Sequence, residues 1–118
     1  MCNMAGYDCP AMKPVEIKAA IANTIGMAPL REVAKGKKEV VIIFDDMSRI
    51  IRAAKIVPSV LEELAEAGIA DKNIRFICAQ GCHGALDRMD FVKKLGQETL
   101  TRFPAFNHNA FGNLHLCR

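Results

Sequence analysis

Five uninterrupted apolar residues, Val40-Val-Ile-Ile-Phe44, end abruptly at Asp45-Asp46-Met47-Ser48-Arg49. No other feature of the chain restricts its fold as tightly. The run is β-branched and does not alternate with polar residues, the pattern of a strand buried on both faces. Such strands belong to parallel sheets, whose neighbours must be joined by crossover segments long enough to hold a helix. The sequence supplies both parts. Asn73 to Ala79 has the composition of a second strand, Ala105-Phe106-Asn107-His108 of a short third, and Leu114 to Cys117 of the start of another.

Helical patterns fill the intervals. Pro14 suits a first helical position, followed by Val15, Ile17, Ala19, Ala20 and Ile21, with Ile25-Gly26 as the stop. A shorter helix is expected from Pro29 to Ala34, stopped by Gly36. Between 53 and 67, Ala53, Val57, Val60, Leu61 and Leu64 share one face and Glu62, Glu63 and Glu66 the other. Pro58 falls inside that stretch, so the helix either starts there or bends there. Asp87 is a good N-cap for a helix through Leu95 closed by Gly96, and 97–103 adds a further helical turn or two. Residues 1–13 read as irregular. Strands alternating with helices predict an α/β fold, a three-layer Rossmann-like parallel sheet with flanking helices in a single, partial domain over 1–118. No Gly-x-Gly-x-x-Gly follows either of the first two strands, so the dinucleotide fingerprint is absent.

Composition excludes several functions. Half of the 118 residues are hydrophobic (51%) and a quarter charged (25%), which suits a folded globular chain and not a disordered one. Net charge is +3, with basic residues scattered and Trp absent, so neither a basic stripe nor a stacking platform for nucleic acid is present. The longest strongly apolar run is far too short to span a bilayer. Five cysteines without regular spacing, and no basic-then-apolar leader in 1–10, point to free thiols in a reducing cytoplasm.

In open parallel α/β sheets ligands bind beyond the carboxyl ends of the strands. That rule gathers three polar segments on one edge: Asp45 to Arg49, Gly81 to Gly84, and Asn107 to Asn109. In the first, a carboxylate and a guanidinium three residues apart can fix each other while Arg49 offers a planar fork to a carboxylate or phosphate. The alternative is an ordinary turn in which Asp45, Asp46 or Ser48 caps and Arg49 is solvated. In the second, Gly81 and Gly84 flank Cys82-His83, letting backbone approach a ligand and leaving the imidazole uncovered. Histidine exchanges protons near neutral pH, yet one that merely caps a helix or lies on the surface has the same local sequence. His108 sits in Asn-His-Asn, which is also ordinary turn chemistry. His115 alternates with Leu114 and Leu116, as on the open face of a strand. Cys78, Cys82 and His83 lack the paired spacing of a structural zinc site, which makes buried, inert thiols the default.

At these segments the sequence resembles the N-terminal region of the lactate racemase family, the nickel-pincer-nucleotide enzymes. The resemblance rests on Val-Ile-Ile-Phe-Asp-Asp-Met-Ser-Arg (41–49), on Ile56-Val-Pro-Ser-Val-Leu-Glu-Glu-Leu-Ala-Glu-Ala-Gly68, on Gly81-Cys-His-Gly-Ala-Leu86 and on Phe103-Pro-Ala-Phe-Asn-His-Asn109. It covers the chain from about Pro14 onward. It implies part of a two-domain racemase or epimerase of small 2-hydroxy acids. A histidine takes the hydroxyl proton while hydride passes to the nickel-pincer nucleotide, and hydride then returns to either face of a planar keto acid. By position His83 matches the catalytic histidine. Asp46 and Arg49 match the pocket pair, with Asp45, Ser48, Gly81, Cys82 and Gly84 around them and His108 in a recurrent segment without an assigned role.

Two departures stand out: Ile50-Ile51 follows Arg49 where the family usually turns through a proline, and Cys82 stands where threonine is common. The cofactor-bearing lysine, a second catalytic histidine and the C-terminal domain are expected beyond Arg118, so no metal ligand is expected in this chain and the fragment alone is expected to be inactive. Read without the resemblance, the same residues also fit a non-catalytic Rossmann-like module that binds a phosphate or a small carboxylic acid.

Overall fold

The computed structural model describes residues 8–112; the expected strand at 114–117, His115 and the first seven residues lie outside that range. Three strands, β1 (Val40–Phe44), β2 (Ile74–Cys78) and β3 (Ala105–Asn107), form one parallel sheet in the order β1-β2-β3. Phe44 is aligned with Cys78, and Cys78 with Asn107, so the three strands end level with one another. The loops that follow them therefore leave from one edge.

Five helices accompany the sheet: α1 (Pro14–Ala22), α2 (Leu30–Val33), α3 (Val57–Glu66), α4 (Arg88–Leu95) and α5 (Gln97–Arg102). Their ends follow the sequence signals closely. Pro58 occupies the first turn of α3, where its missing N–H removes no hydrogen bond, so the helix starts at Val57, just before this proline, instead of bending at it. Asp87 caps α4 by accepting from the Asp90 N–H at 2.9 Å, and Gly96 ends it at φ 88, a conformation costly for any residue with a Cβ. α1 stops at Ala22, three residues before Ile25, and buries none of its residues; it is a peripheral helix resting on α3.

The core lies on one face of the sheet. Phe44, Phe76 and Cys78 point into it, where α3 contributes Val57 and Leu64 and α4 contributes Phe91 and Leu95. Phe44 meets Phe76 and Phe91 edge-on, with ring centroids 6.4 and 5.9 Å apart, and Phe76 meets Phe103 at 5.9 Å. Glu63 is buried on α3, where Arg31 of α2 donates to both of its oxygens and ties the two helices together.

The expected parallel α/β sheet with flanking helices is present, but the strands are not covered on both faces. Val41, Ile43 and Phe106 face outward and are exposed. The strand order gives the reason. Right-handed crossovers that advance steadily from β1 to β2 to β3 place every connecting helix on the same side, and a second helical layer requires the order to reverse. Among the described residues it does not reverse. Phe76→Ala is therefore expected to cost about 3–5 kcal/mol of stability, while Phe106→Ala on the open face costs at most about 1 kcal/mol. Urea unfolding of the two variants checks this, and equal losses would show that the open face is covered in solution.

Candidate active site

The first loop at the carboxyl edge leaves β1 at Phe44 and carries Asp45 and Asp46. Asp46 turns inward and is almost fully buried. One of its oxygens accepts from the backbone N–H of Ser48 at 3.0 Å and from the Ser48 hydroxyl. The other meets Nδ1 of His83 from the second loop. Hydrogen bonds from Ser48 first and from His83 second stabilise the ionised carboxylate and hold Asp46 at a pKa of about 2, against an ordinary value of 3.8. A carboxylate ionised to that degree can only accept a hydrogen bond, so the proton of a neutral His83 ring resides on Nδ1. Nε2 is then left with its lone pair, on a ring whose side chain is 64% exposed.

The second loop follows Cys78. Gly81 adopts φ 60, in the left-handed region that glycine tolerates, and the His83 N–H closes the turn onto the Gln80 carbonyl at 3.1 Å. Cys82 and Gly84 lie exposed on either side of His83, with open space above the Cα of Gly84. Leu86, at the end of this loop, is gripped by Asn107 of β3, which donates to its carbonyl at 2.9 Å and accepts from its N–H at 3.0 Å.

Asp46, Ser48 and His83 thus come together in one cluster, and Arg49 is placed differently from the sequence expectation. Its guanidinium does not pair with either aspartate, because Asp46 is taken by Ser48 and His83 and Asp45 accepts from Lys94 at 2.8 Å. The only hydrogen bond between Arg49 and either aspartate runs from its backbone N–H to the Asp46 carbonyl, at 3.3 Å. Its exposed guanidinium has no acidic partner among the described residues, and it lines a cleft shared with Gln80, Cys82 and His83. His108 lines the neighbouring cleft on the far side of His83, half-buried, with its N–H on the Cys78 carbonyl at 3.1 Å. Its ring makes no side-chain hydrogen bond among the described residues.

Cys78 is fully buried, and burial, with the charges of Asp46 and Asp45 behind it, pushes its thiol upward, away from the thiolate a metal needs. No group of three His, Cys, Asp or Glu side chains among the described residues converges on a point. Nor is any helix among them long and apolar enough to cross a membrane.

Three contributors escape a reading of the sequence. Asn107 was visible as part of Asn-His-Asn, but its grip on Leu86 spans 21 residues and has no local signature. Gln80 is buried with an Oε1 that has no partner among the described residues. Lys94 is buried on α4 and donates to Asp45, to the Arg49 carbonyl at 2.8 Å and to the Ile51 carbonyl at 3.0 Å. Its signal was available: three residues after Phe91 and one before Leu95, it stands on the apolar stripe of its helix.

The sequence model of the lactate racemase N-terminal domain matches residues 5–117, nearly the whole chain. The chain belongs to this family. It is 29% identical over 82 residues to the lactate racemase of Thermoanaerobacterium thermosaccharolyticum and 32% identical over 82 residues to that of Lactiplantibacillus plantarum, covering 70% of this chain in each case. Both aligned segments amount to 19% of the relative, so the chain spans about a fifth of the length of the racemases it matches. Among solved structures, the lactate racemase apoprotein of T. thermosaccharolyticum superposes with a TM-score of 0.74 at 26% identity, over 81% of this chain and 23% of the other. A Thermotoga maritima protein superposes with a TM-score of 0.61 at 25% identity, over 86% and 22%.

For this lactate racemase N-terminal domain, the sign of the acid dependence follows from Asp46. Its pKa is depressed in the folded state, so its contribution to stability is complete above the ordinary value of 3.8 and is lost as pH falls towards 2. Carbon-detected NMR titration should place the Asp46 carboxyl near 2. Ser48→Ala should raise that midpoint more than His83→Gln does. A midpoint near 4 in the unmodified chain would show that neither hydrogen bond persists in solution.

Proposed function

We propose that this chain supplies the acid–base part of an isomerase acting on small 2-hydroxy acids, with His83 as the group that takes and returns the hydroxyl proton. One observation carries the reading: in a chain of the lactate racemase family, the only histidine–carboxylate pair among the described residues stands at the carboxyl edge of the sheet, with the histidine side chain 64% exposed. Two relatives bear the name lactate racemase, which suggests a lactate-like substrate.

On this reading the substrate carboxylate lies on the guanidinium of Arg49, which can donate two parallel hydrogen bonds to it. That contact orients the C2 hydroxyl towards Nε2 of His83. Nε2 accepts the hydroxyl proton, and the ring becomes an imidazolium that the Asp46 carboxylate stabilises through Nδ1; carbonyl formation at C2 would also need a hydride acceptor, which the residues of this chain do not supply. The reverse transfer restores the hydroxyl. Ser48 keeps the Asp46 carboxylate from rotating off the ring, and Gly81 and Gly84 keep side chains off the approach to it.

The resemblance also implies a nickel-pincer nucleotide. Among the described residues no three ligands converge to hold a bare nickel ion: Asp46 and Asp45 are engaged by His83, Ser48 and Lys94, and Cys78 is buried as a thiol. The residues of this chain account for movement of the hydroxyl proton and not for removal of hydrogen from C2. Racemisation by the 118-residue chain alone is therefore not expected.

The test pairs binding with turnover. Adding sodium lactate to the 15N-labelled chain should shift the signals of Ser48, Arg49 and His83, and Arg49→Ala should weaken binding about 10-fold or more, as for loss of a charge-assisted hydrogen bond. Neither lactate enantiomer should convert into the other. Conversion by the chain alone would overturn the division of labour. Binding of inorganic phosphate in preference to lactate, with the same dependence on Arg49, would favour a non-catalytic anion-binding module.

A further inference from the structure

We infer that Lys94 is the positioning residue of the His83–Asp46 pair, clamping both ends of the loop that carries Asp46 onto helix α4. An ammonium group has three hydrogens, and Lys94 spends all of them on this loop: on the Asp45 carboxylate at 2.8 Å, the Arg49 carbonyl at 2.8 Å and the Ile51 carbonyl at 3.0 Å. Its side chain is only 4% exposed. The three acceptors bracket Asp46, one beside it in sequence and two beyond it. Apart from these bonds and those of Asp46 itself, no side-chain hydrogen bond ties residues 45–51 to another part of the described chain. Removing Lys94 therefore leaves the loop held through the very pair whose geometry is at issue.

The residue type and its site both fit this task. A buried ammonium is tolerated only when paired and fully hydrogen-bonded. Here Asp45 supplies the charge and two carbonyls complete the shell. Arginine, with a planar fork of five donors, cannot reproduce a compact three-way junction. The anchor is also rigid: α4 is capped by Asp87, closed by Gly96 and packed against β1 through Phe91 and Phe44, 5.9 Å apart. Lys93, one residue earlier, shows the contrast, since it is exposed and reaches only Asp90 on its own helix. The inference concerns where the pair is held and stands whether or not the site acts on a hydroxy acid.

The readout is the imidazole nitrogen spectrum of His83 in the full chain at about pH 8.5, well above the ordinary histidine value. The unmodified chain should show one tautomer, protonated at Nδ1. Lys94→Met should give a mixture of tautomers while the amide signals of Phe76 and Leu64 stay in place, and Lys94→Arg should restore the single tautomer only in part. Should Lys94→Met fail to fold, Asp45→Asn decides, because it keeps a neutral acceptor for the ammonium and loosens the same junction. A folded Lys94→Met, or Asp45→Asn in its place, that keeps the single Nδ1-protonated tautomer would overturn the assignment.

Discussion

Everything in this domain depends on three parallel strands being added in sequence order. Parallel neighbours can be joined only by a crossover, and crossovers of one hand that always step the same way pile their helices on one face. Two consequences follow at once. The core forms on that face alone, around Phe44, Phe76 and Leu64, and the opposite face presents Val41, Ile43 and Phe106 to solvent. The carboxyl ends of β1, β2 and β3 are also aligned, so three loops distant in sequence become neighbours. The site is a by-product of that alignment, built from whatever residues follow the strands.

What the loops contribute differs in kind. Asp46 and Ser48 form a self-contained turn that leaves one carboxylate oxygen for the second loop. The second loop brings His83 to that oxygen, and its far end is fastened by Asn107 of β3, so the pair is gripped from the sheet on one side and from α4 on the other. Spending both aspartates in this way has a cost for other chemistry. A carboxylate that accepts from Ser48 and His83, or from Lys94, is not a free metal ligand. The same assignment leaves Arg49 as the one site cation without an acidic partner among the described residues. The sequence suggested an Asp–Arg pair in the first loop. The structure instead divides its charges into a fixed set that holds the histidine and a free guanidinium.

Which of these features the sequence reveals is decided by the range of the interaction behind each. β1 was legible because its five apolar residues are contiguous, and α4 because Asp87 and Gly96 act on their own helix within a few residues. Gly81, Cys82, His83 and Gly84 were legible as a loop for the same local reason. The open sheet face was not, since a continuous apolar run looks identical whether one face or two are covered, and only the strand order distinguishes them. The partner of Asp46 was equally hidden: Arg49 lies three residues away and His83 thirty-seven, yet the contact is with the histidine. Asn107 and Lys94 act across 21 and 49 residues. Only for Lys94 did a local clue exist, a charged residue on the apolar stripe of its helix.

The energetic character of the site follows from where water can reach. Asp46 and Lys94 are buried and hydrogen-bonded throughout, and such groups rigidify their surroundings because no alternative arrangement satisfies them as well. His83, Cys82 and Arg49 lie exposed at the mouth, where a ligand need displace little protein to reach them. The His83 ring is held at Nδ1 by the buried Asp46 carboxylate while most of its side chain stays open to solvent. Gln80, buried beside the same clefts, leads into the His83 turn, and its Oε1 makes no hydrogen bond among the described residues.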